Sequence, residues 1–273
     1  MISVIIVSHD NEAELDRCLE SLEGSEAEVL LVDNASSDGS LNMVRERFPE
    51  VVTLPQEDNL GFAAANNVAA AKASGEALLL LNADAWLEPG ALALLAARLH
   101  GRPDIGLVAP RLRYPDGRRH FSWSPARGVV GEAMQQVRNP FEAWGWAHGR
   151  VARSVARLVG RPWYTAACVL VRADAWRSVG GFDESFFMYF EDVDLCIRLE
   201  AARWKLAQEP RAVVRHVGGA ADRAEVDDLY RPSQLRYYRL HRPGWEIRLV
   251  ERRLRRRFGD VAVDRWLAGG SGR

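Results

Sequence analysis

Residues 78–84 read Leu-Leu-Leu-Leu-Asn-Ala-Asp, four apolar residues followed at once by an amide, a small residue and an acid. A short apolar run without alternation is typical of a strand covered on both faces, as in a parallel sheet. Similar runs occur earlier in the chain, and a segment with helical spacing follows each of them: 4–7, 29–32 and 51–54. This repetition predicts an α/β domain with a mostly parallel sheet and helices on both faces.

Beyond this stretch the alternation continues and then breaks. A helix over 90–100 and a strand over 105–109 are predicted, followed by a hairpin about Asp116-Gly117. Residues 124–161 are irregular and rich in Gly, Trp and Arg, which is typical of a functional lid or acceptor loop. The later pattern predicts a strand at 167–171, helices at 174–178 and 192–204, and a strand at 211–216.

The composition is that of an ordinary globular protein, with 48% hydrophobic residues, 27% charged residues and a net charge of −1. No apolar run approaches the ~20 residues needed to span a bilayer, and residues 2–7 have the pattern of a strand rather than of a signal peptide. Cys18, Cys168 and Cys196 lack metal-ligand or disulfide-framework spacing, so we expect them in the core. An integral membrane protein and a disulfide scaffold are excluded, and a reducing, cytoplasmic location is expected.

Polar side chains follow each of the first four predicted strands, where an open parallel sheet binds its ligands. They are Ser8, His9, Asp33, Asn59, Asn82 and Asp84. We expect a crevice for a ligand with amide-type N–H donors and sugar hydroxyls, together with a divalent cation. In this interpretation the Asp33 carboxylate accepts the N3–H of a uracil or thymine ring.

Each of these residues also has a plainer explanation. Asp33 could form an Asx turn, Asn59-Leu-Gly a simple turn, and His9 could merely pack against a loop. Asp38, which precedes Gly39-Ser40, is better explained as a helix cap than as a ligand.

Asp84 and His216 are the candidate metal ligands. Asp84 ends a buried strand, where an uncompensated charge is unfavourable, and a divalent cation with diphosphate oxygens would compensate it. His216 ends the last predicted strand and precedes Gly218-Gly219, which would allow a ligand to approach closely.

The stretch from Phe186 to Arg198 carries the candidate catalytic acids. Glu191, Asp192 and Asp194 follow five bulky apolar or aromatic residues and open a helix. Helix capping and an i,i+4 pair with Arg198 would explain Asp194. Burial beside the aromatic residues would raise the pKa of a carboxyl and make it a useful general base.

These motifs, in their joint order, resemble glycosyltransferase family 2, and within it the bacterial rhamnosyltransferase-like branch. The resemblance covers about residues 1–220 and rests on six stretches: 4–11, 32–40, 59–67, 80–84, 180–198 and 216–219. It implies a GT-A fold with a Rossmann-like sheet, a nucleotide-diphospho-sugar donor, Mg²⁺ or Mn²⁺, and transfer with inversion. It further implies dTDP-rhamnose as the first choice of donor, with a UDP-sugar next, and a glycan or lipid-linked acceptor in cell-surface polysaccharide synthesis.

Carried over by position, the resemblance assigns roles to individual residues. Ser8, His9, Asp33 and Asn59 would line the nucleotide site, Asp84 and His216 would bind the metal, and Asp192 would be the base, with Glu191 the next candidate. The departures are Asn82 in place of the first acid of the Asp-x-Asp-type motif, Ala83 for Pro, His9 for Tyr, and Ala166-Ala167 for Gly-Ala. They bear on donor preference and acceptor fit rather than on the reaction class.

The sequence disfavours two other functions. A Rossmann dehydrogenase is disfavoured because the turn after the first strand lacks Gly-x-Gly-x-x-Gly. A non-catalytic sugar-nucleotide-binding or scaffold protein of the same fold is disfavoured because Asp84, Asp192 and His216 occur together.

The predicted domains are a catalytic domain at 1–220, with a donor-binding half at 1–110 and an acceptor half at 111–220, and a basic helical extension at 221–273. From Arg231 to Phe258 the extension holds ten arginines and two glutamates. Its apolar residues fall near helical spacing: Trp245, Ile247, Leu249, Val250, Leu254 and Phe258. This pattern fits either docking on an anionic membrane surface or packing on the catalytic domain, and nucleic acid is not an expected partner.

Overall fold

The computed structural model describes residues 1–120, 123–124, 128–129, 131–132, 162–218 and 223–268. Most of the predicted lid or acceptor loop at 124–161 therefore lies outside the described residues. The strands are β1 (Ile2–Ser8), β2 (Glu28–Asp33), β3 (Val52–Pro55), β4 (Ala77–Asn82), β5 (Ala85–Leu87), β6 (Ile105–Arg113), β7 (Trp123–Ser124), β8 (Trp163–Tyr164), β9 (Cys168–Arg172) and β10 (Lys205–His216). The helices are α1 (Glu12–Glu20), α2 (Ser40–Arg47), α3 (Gly61–Ala70), α4 (Ala91–His100), α5 (Ala173–Val179), α6 (Glu191–Ala201), α7 (Arg223–His241), α8 (Gly244–Phe258) and α9 (Asp260–Leu267).

The main sheet has the strand order β3-β2-β1-β4-β9-β6-β10-β5. Strands β3, β2, β1 and β4 are mutually parallel, and β6 and β10 form a second parallel pair. β9 runs antiparallel between these two groups, and β5 runs antiparallel to β10. The prediction of a mostly parallel sheet is confirmed.

Helices cover both faces of the sheet, because neighbouring residues of a strand point to opposite sides. On one face Ile6 and Leu79 pack in a cluster with α1, α2 and α4. On the other face Ile5 and Leu80 pack in a cluster with α3, α5 and α6. Each fully buried Leu or Ile contributes about 1.5–3 kcal/mol to folding. The three cysteines are free and buried, as expected.

Helix α6 ends at Ala201, before the predicted end at Trp204. Arg203 has a left-handed φ of 68°, the Arg203 N–H donates to the Glu200 carbonyl, and the Trp204 N–H donates to the Leu199 carbonyl. This is a Schellman motif with arginine where glycine is usual, so the sequence carried no stop signal. The chain then enters β10 directly, and β10 is longer than the strand predicted at 211–216.

The C-terminal extension forms three helices and packs on the segment that precedes and opens α6. One apolar cluster joins Phe186 and Val193 to residues of the extension, among them Tyr237, Tyr238, Val250, Leu254, Val263 and Trp266. Ile247 and Phe258 of the predicted stripe pack against this cluster, whereas Trp245 and Leu249 are exposed. The domain boundary at residue 220 stays a prediction. No helix within the described ranges is long and apolar enough to cross a bilayer.

Gly61, at the start of α3, contacts the turn that leads into α6. Its φ is 78°, and a Cβ there would lie 2.4 Å from the Phe187 carbonyl oxygen. Gly90 has nearly the same φ, 79°, but a Cβ there would meet nothing within 4 Å. We expect Gly90→Ala to lower the free energy of unfolding by about 1–2 kcal/mol, the penalty for left-handed backbone alone. Gly61→Ala should lower it by a further ~1–3 kcal/mol, because the contact must also be relieved. Urea unfolding of the two variants tests this, and equal losses would contradict it.

Candidate active site

The carboxyl ends of β1, β2 and β4 bring the predicted nucleotide-site residues into one row. Ser8 lies opposite Asp33, and Val7 lies opposite Asn82, in the parallel register. Ser8 and Asp33 are both buried. The Ser36 N–H donates to Asp33 Oδ2 at 3.2 Å, so this carboxylate oxygen stabilises the turn that follows β2. Asp33 Oδ1 and Ser8 Oγ are buried and have no hydrogen-bond partner within the described part of the chain.

Asn59 closes the turn that starts α3. Its Oδ1 accepts the Gly61 N–H at 2.9 Å and the side-chain N–H of Asn34 at 2.8 Å. Asn34 in turn accepts the Leu60 N–H at 2.9 Å, which joins the end of β2 to this turn. The plainer explanation of Asn59 therefore holds, and its nucleotide role stays a prediction. Asn34 was not singled out from the sequence, although its place directly after Asp33 was a signal.

His9 and Asp38 lie at the rim of the same edge. His9 is exposed, with its Nε2 3.9 Å from the Asp10 carboxylate. Asp38 accepts the backbone N–H of Ser40 at 3.0 Å and that of Glu12 at 3.1 Å. The bond from Ser40 is that of an Asx turn, since Gly39 is the N-cap residue of α2. Both contacts place Asp38 in a structural role between the starts of α1 and α2.

Asp84 and His216 meet at the same edge. The distance from His216 Nε2 to Asp84 Oδ1 is 3.1 Å, and the Gly218 N–H donates to Asp84 Oδ2 at 3.1 Å. Burial by itself raises the pKa of the Asp84 carboxyl, but the hydrogen bond and charge of His216 outweigh it, so the pKa lies below its usual value. Asp84 is therefore an anion at neutral pH.

The geometry of this pair fits two ligands of one divalent cation. Neighbouring ligands on an octahedral ion at about 2.1 Å lie about 3.0 Å apart, close to the observed separation. Asn82 Oδ1 is buried beside them and has no partner among the described residues. No group of three or more His, Cys, Asp or Glu side chains suited to a metal occurs in the described ranges. These residues fit a cation that takes its remaining ligands from diphosphate and water, rather than a cation fully enclosed by protein.

A strained turn presents the acids at the start of α6. Tyr189 and Phe190 both adopt left-handed backbone, with φ of 70° and 66°, and such strain persists only where surrounding contacts impose it. Asp192 follows and is half-buried. Its Oδ1 accepts the Val193 N–H at 2.7 Å and its Oδ2 accepts the Ala166 N–H at 3.3 Å. Burial raises the pKa of Asp192 to about 6, although these backbone donors oppose the shift.

The two neighbouring acids differ from Asp192. Glu191 is buried, and burial, then the charges of Asp192 and Asp194, raise its pKa well above the usual value. Because its pKa is raised further from the usual range by these like charges, Glu191 is less readily ionised than an ordinary glutamate. Asp194 is engaged by Arg198 Nε at 2.7 Å and by His241 Nε2 at 2.7 Å, so its role is structural. Asp192 is the acid best suited to accept a proton, and both predicted catalytic roles stay predictions.

Residues 166 and 167 connect the candidate base to the candidate metal ligands. The Ala166 N–H donates to Asp192, and the Ala167 carbonyl accepts the Asn82 N–H at 3.0 Å. Asp192 and the Asn82–Asp84 turn therefore border the same short segment. The Ala-Ala pair, noted above as a departure, lies between them.

Comparisons with known proteins identify the family and the fold. The sequence profile described as glycosyl transferase family 2 matches residues 3–175. An N-acetylglucosaminyl-diphospho-decaprenol L-rhamnosyltransferase of Mycobacterium tuberculosis is 33% identical over 234 residues, which cover 79% of this chain and 76% of that protein. The O-antigen biosynthesis protein RfbC of Myxococcus xanthus is 32% identical over 205 residues, which cover 73% of this chain and 16% of that protein.

Among solved structures, the mannosyltransferase PcManGT of Pyrobaculum calidifontis, in complex with GDP-Man and Mn²⁺, is similar with a TM-score of 0.63 at 17% identity. The similarity covers 98% of this chain and 73% of that chain. It confirms the GT-A fold, and the mycobacterial relative confirms the predicted rhamnosyltransferase-like branch. The chain belongs to glycosyl transferase family 2.

Proposed function

We propose that this protein transfers a sugar from a nucleotide-diphospho-sugar to an acceptor hydroxyl in one displacement, with inversion at the anomeric carbon. The observation that carries the proposal is the site in which Asp84 and His216, 3.1 Å apart, border the same segment as Asp192, whose pKa is raised. One edge of the sheet thus offers charge compensation for a diphosphate and a base for a hydroxyl.

Asp84 Oδ1 and His216 Nε2 would hold the cation, Mg²⁺ or Mn²⁺. When bound, it would neutralise the negative charge that develops on the departing nucleoside diphosphate. The structurally similar PcManGT holds Mn²⁺ together with its nucleotide sugar, which supports this proposal. Asp84 is kept anionic by His216, and the Gly218 N–H fixes its second oxygen, so the carboxylate is oriented in advance.

Asp192 would accept the proton of the acceptor hydroxyl. The N–H groups of Val193 and Ala166 hold its two oxygens in place and favour the ionised form. Burial works in the other direction, so the carboxylate is more basic than an exposed aspartate but still ionised at neutral pH. A base poised near the working pH is the usual compromise between availability and strength.

The donor would be a pyrimidine sugar nucleotide, since Asp33 Oδ1 and Ser8 Oγ are buried and unpaired within the described residues. The N3–H of thymine or uracil is a suitable donor for Asp33. Among these, dTDP-rhamnose is favoured, because the mycobacterial relative is an L-rhamnosyltransferase. The name of that relative also supports a lipid-linked diphosphate sugar as acceptor, and hence a role in cell-surface polysaccharide synthesis.

A lipid-linked acceptor would require the protein to work at a membrane, on its cytoplasmic side. The outer face of α8, defined here as Trp245, Arg248, Arg252 and Arg256, consists of exposed residues and includes no acid. Side chains three and four apart on a helix share one face, so the arginines continue along the face that begins at Trp245. This face is suited to an anionic lipid surface, with the indole in the interface and the arginines near headgroups.

Donor binding should raise the melting temperature in proportion to RT ln(1 + [L]/Kd), about 2.7 kcal/mol at 100 Kd. We expect dTDP- or UDP-sugars with Mn²⁺ to give larger shifts than purine sugar nucleotides. Asp84→Ala should abolish the part of the shift that depends on Mn²⁺. Asp104→Ala is the matched control, because Asp104 precedes β6 at the opposite edge of the sheet. A larger shift with GDP-sugars would contradict the role of Asp33, and equal losses in both variants would contradict that of Asp84.

Asp192→Asn should reduce kcat by ~10²–10⁴-fold and leave donor affinity nearly unchanged, because the amide cannot accept a proton. The ionised carboxylate is the active form, so the wild-type rate should fall as pH drops through about 6 and level off above it. The variant should lack this dependence.

Glu191→Gln is the companion variant, since Gln is close in size to Glu and removes the ionisable carboxyl next to Asp192. It should lower kcat by no more than about tenfold. If Glu191→Gln abolishes transfer and Asp192→Asn does not, the base is Glu191. If neither variant lowers a measurable rate, the base is a different residue. If the wild type transfers no sugar from any donor, the chain is a non-catalytic member of the fold.

The membrane proposal is tested by co-sedimentation with anionic and neutral vesicles at low salt. Each arginine near an anionic surface contributes about 1 kcal/mol, so changing Arg248, Arg252 and Arg256 to Gln should weaken binding by about 10²-fold.

The control carries the same charge change at three exposed arginines on other elements: Arg45, Arg98 and Arg203. It should bind anionic vesicles nearly as well as the wild type. Equal weakening by both sets, or no wild-type binding to anionic vesicles, would contradict docking through α8.

A further inference from the structure

A cavity of about 550 Å³ lies between α7 and α8. This volume falls within the roughly 300–1,000 Å³ typical of small-molecule sites. Arg253 and Arg257 are exposed residues at the cavity. Its apolar walls include Val226, Leu249, Val250 and Leu254.

The charges in this cavity favour an anion. The residues that line it include three arginines, Arg231, Arg253 and Arg257, against two carboxylates, Asp227 and Glu132. Asp227 is paired with Arg231 at 2.6 Å. Arg253 and Arg257, by contrast, have no carboxylate partner among the described residues.

The cavity reaches the turn that presents the candidate base. Tyr230 lines the cavity, and its ring centroid lies 5.5 Å from that of Tyr189 and 5.0 Å from that of Phe190. Asp192 follows this turn within two residues. Tyr230 therefore joins one wall of the cavity to the aromatic residues that precede α6.

We propose that this cavity binds the lipid diphosphate of the acceptor, as an amphiphile of the isoprenyl diphosphate class. The phosphates would contact Arg253 and Arg257, and the first units of the chain would contact Val226, Leu249 and Leu254. A sugar on the diphosphate could then extend past Tyr230 toward Asp192. The inference rests on the proposed function for the identity of the acceptor, but the site itself is defined by its own walls and charges.

The test uses farnesyl diphosphate as the probe, measured by calorimetry on the full chain without vesicles. EDTA is present so that the cation-dependent donor site does not take up the diphosphate. Farnesol and inorganic pyrophosphate are run separately, because an amphiphilic site must bind the complete molecule more tightly than either part. We expect farnesyl diphosphate to bind at least about tenfold more tightly than pyrophosphate or farnesol.

Two double variants with the same change in charge test whether the probe binds in the cavity. Changing Arg253 and Arg257 to Gln should weaken farnesyl diphosphate binding by at least about tenfold. Changing Arg252 and Arg256 to Gln removes the same charge from the same helix outside the cavity and should change the affinity by less than about twofold. Equal weakening by both pairs would show attraction to net charge alone and would overturn the proposal.

A pair of single variants tests the apolar wall of the cavity. Leu249 and Trp245 are 50% and 54% exposed, so replacing either with Gln leaves the core intact. Only Leu249 lines the cavity. Leu249→Gln should weaken farnesyl diphosphate but not pyrophosphate, and Trp245→Gln should weaken neither. No wild-type binding of the probe, or equal effects of the two variants, would overturn the proposal.

Failure of this inference differs from failure of the proposed function. The Arg253/Arg257 variant should keep the full donor-induced thermal shift, and with a lipid diphosphate acceptor it should raise KM with kcat unchanged. If wild-type donor binding is absent while the probe still binds at the cavity, the proposed function is wrong and the site stands. If sugar transfer is normal and changing Arg253 and Arg257 leaves binding of the probe unchanged, only the proposed cavity site is wrong.

Discussion

Parallel pairing places the carboxyl ends of β1, β2 and β4 at one edge of the sheet, and the candidate site depends on this constraint. Because Ser8 faces Asp33 in register and Asn82 ends the adjoining strand, buried polar atoms accumulate where backbone pairing stops. Asp84 lies just beyond this row and contacts His216, which β10 brings from more than a hundred residues away. A ligand that supplies a cation and N–H donors would satisfy the atoms that the chain leaves unpaired.

The C-terminal helices support the other half of the site. Tyr230 and Tyr237 pack on Phe190, and the Ser233 hydroxyl donates to the Met188 carbonyl at 2.7 Å. His241 also binds Asp194, which lies one residue beyond Val193 in α6. These contacts surround the two left-handed residues and so favour the backbone that places Asp192 against Ala166. The helices after the predicted boundary at residue 220 thus stabilise the geometry of the candidate base, whether or not α8 also contacts a membrane.

The sequence predicted the parts of the structure that depend on local pattern. Apolar runs predicted the parallel strands. Polar residues directly after such runs identified Asp33, Asp84 and His216 as candidate site residues. The features that were missed depend on distant partners or on unusual backbone. β5 is three residues long and pairs only with β10, and the end of α6 uses Arg203 where glycine would have been the signal. The left-handed pair Tyr189-Phe190 has no sequence signature, because its strain is held by α7.

The packing of the C-terminal extension was also only partly predictable from the sequence. Its helical spacing was clear, yet spacing alone could not tell a membrane-facing stripe from a packed one. In the structure the stripe divides: Val250 and Leu254 join the core, and Trp245 and Leu249 stay exposed. Which side of an amphipathic helix is buried was decided by the aromatic residues of α7 and by Phe186.

The proposed function requires Asp84 and His216 to hold a divalent cation for the diphosphate of the donor. Anomalous diffraction at the manganese edge, from crystals grown with Mn²⁺ and dTDP, can locate that cation. We expect one strong peak within about 2.3 Å of both Asp84 Oδ1 and His216 Nε2, with phosphate oxygens as further ligands. A bound nucleotide whose diphosphate lies away from both residues, or a manganese peak that contacts neither of them, would contradict it.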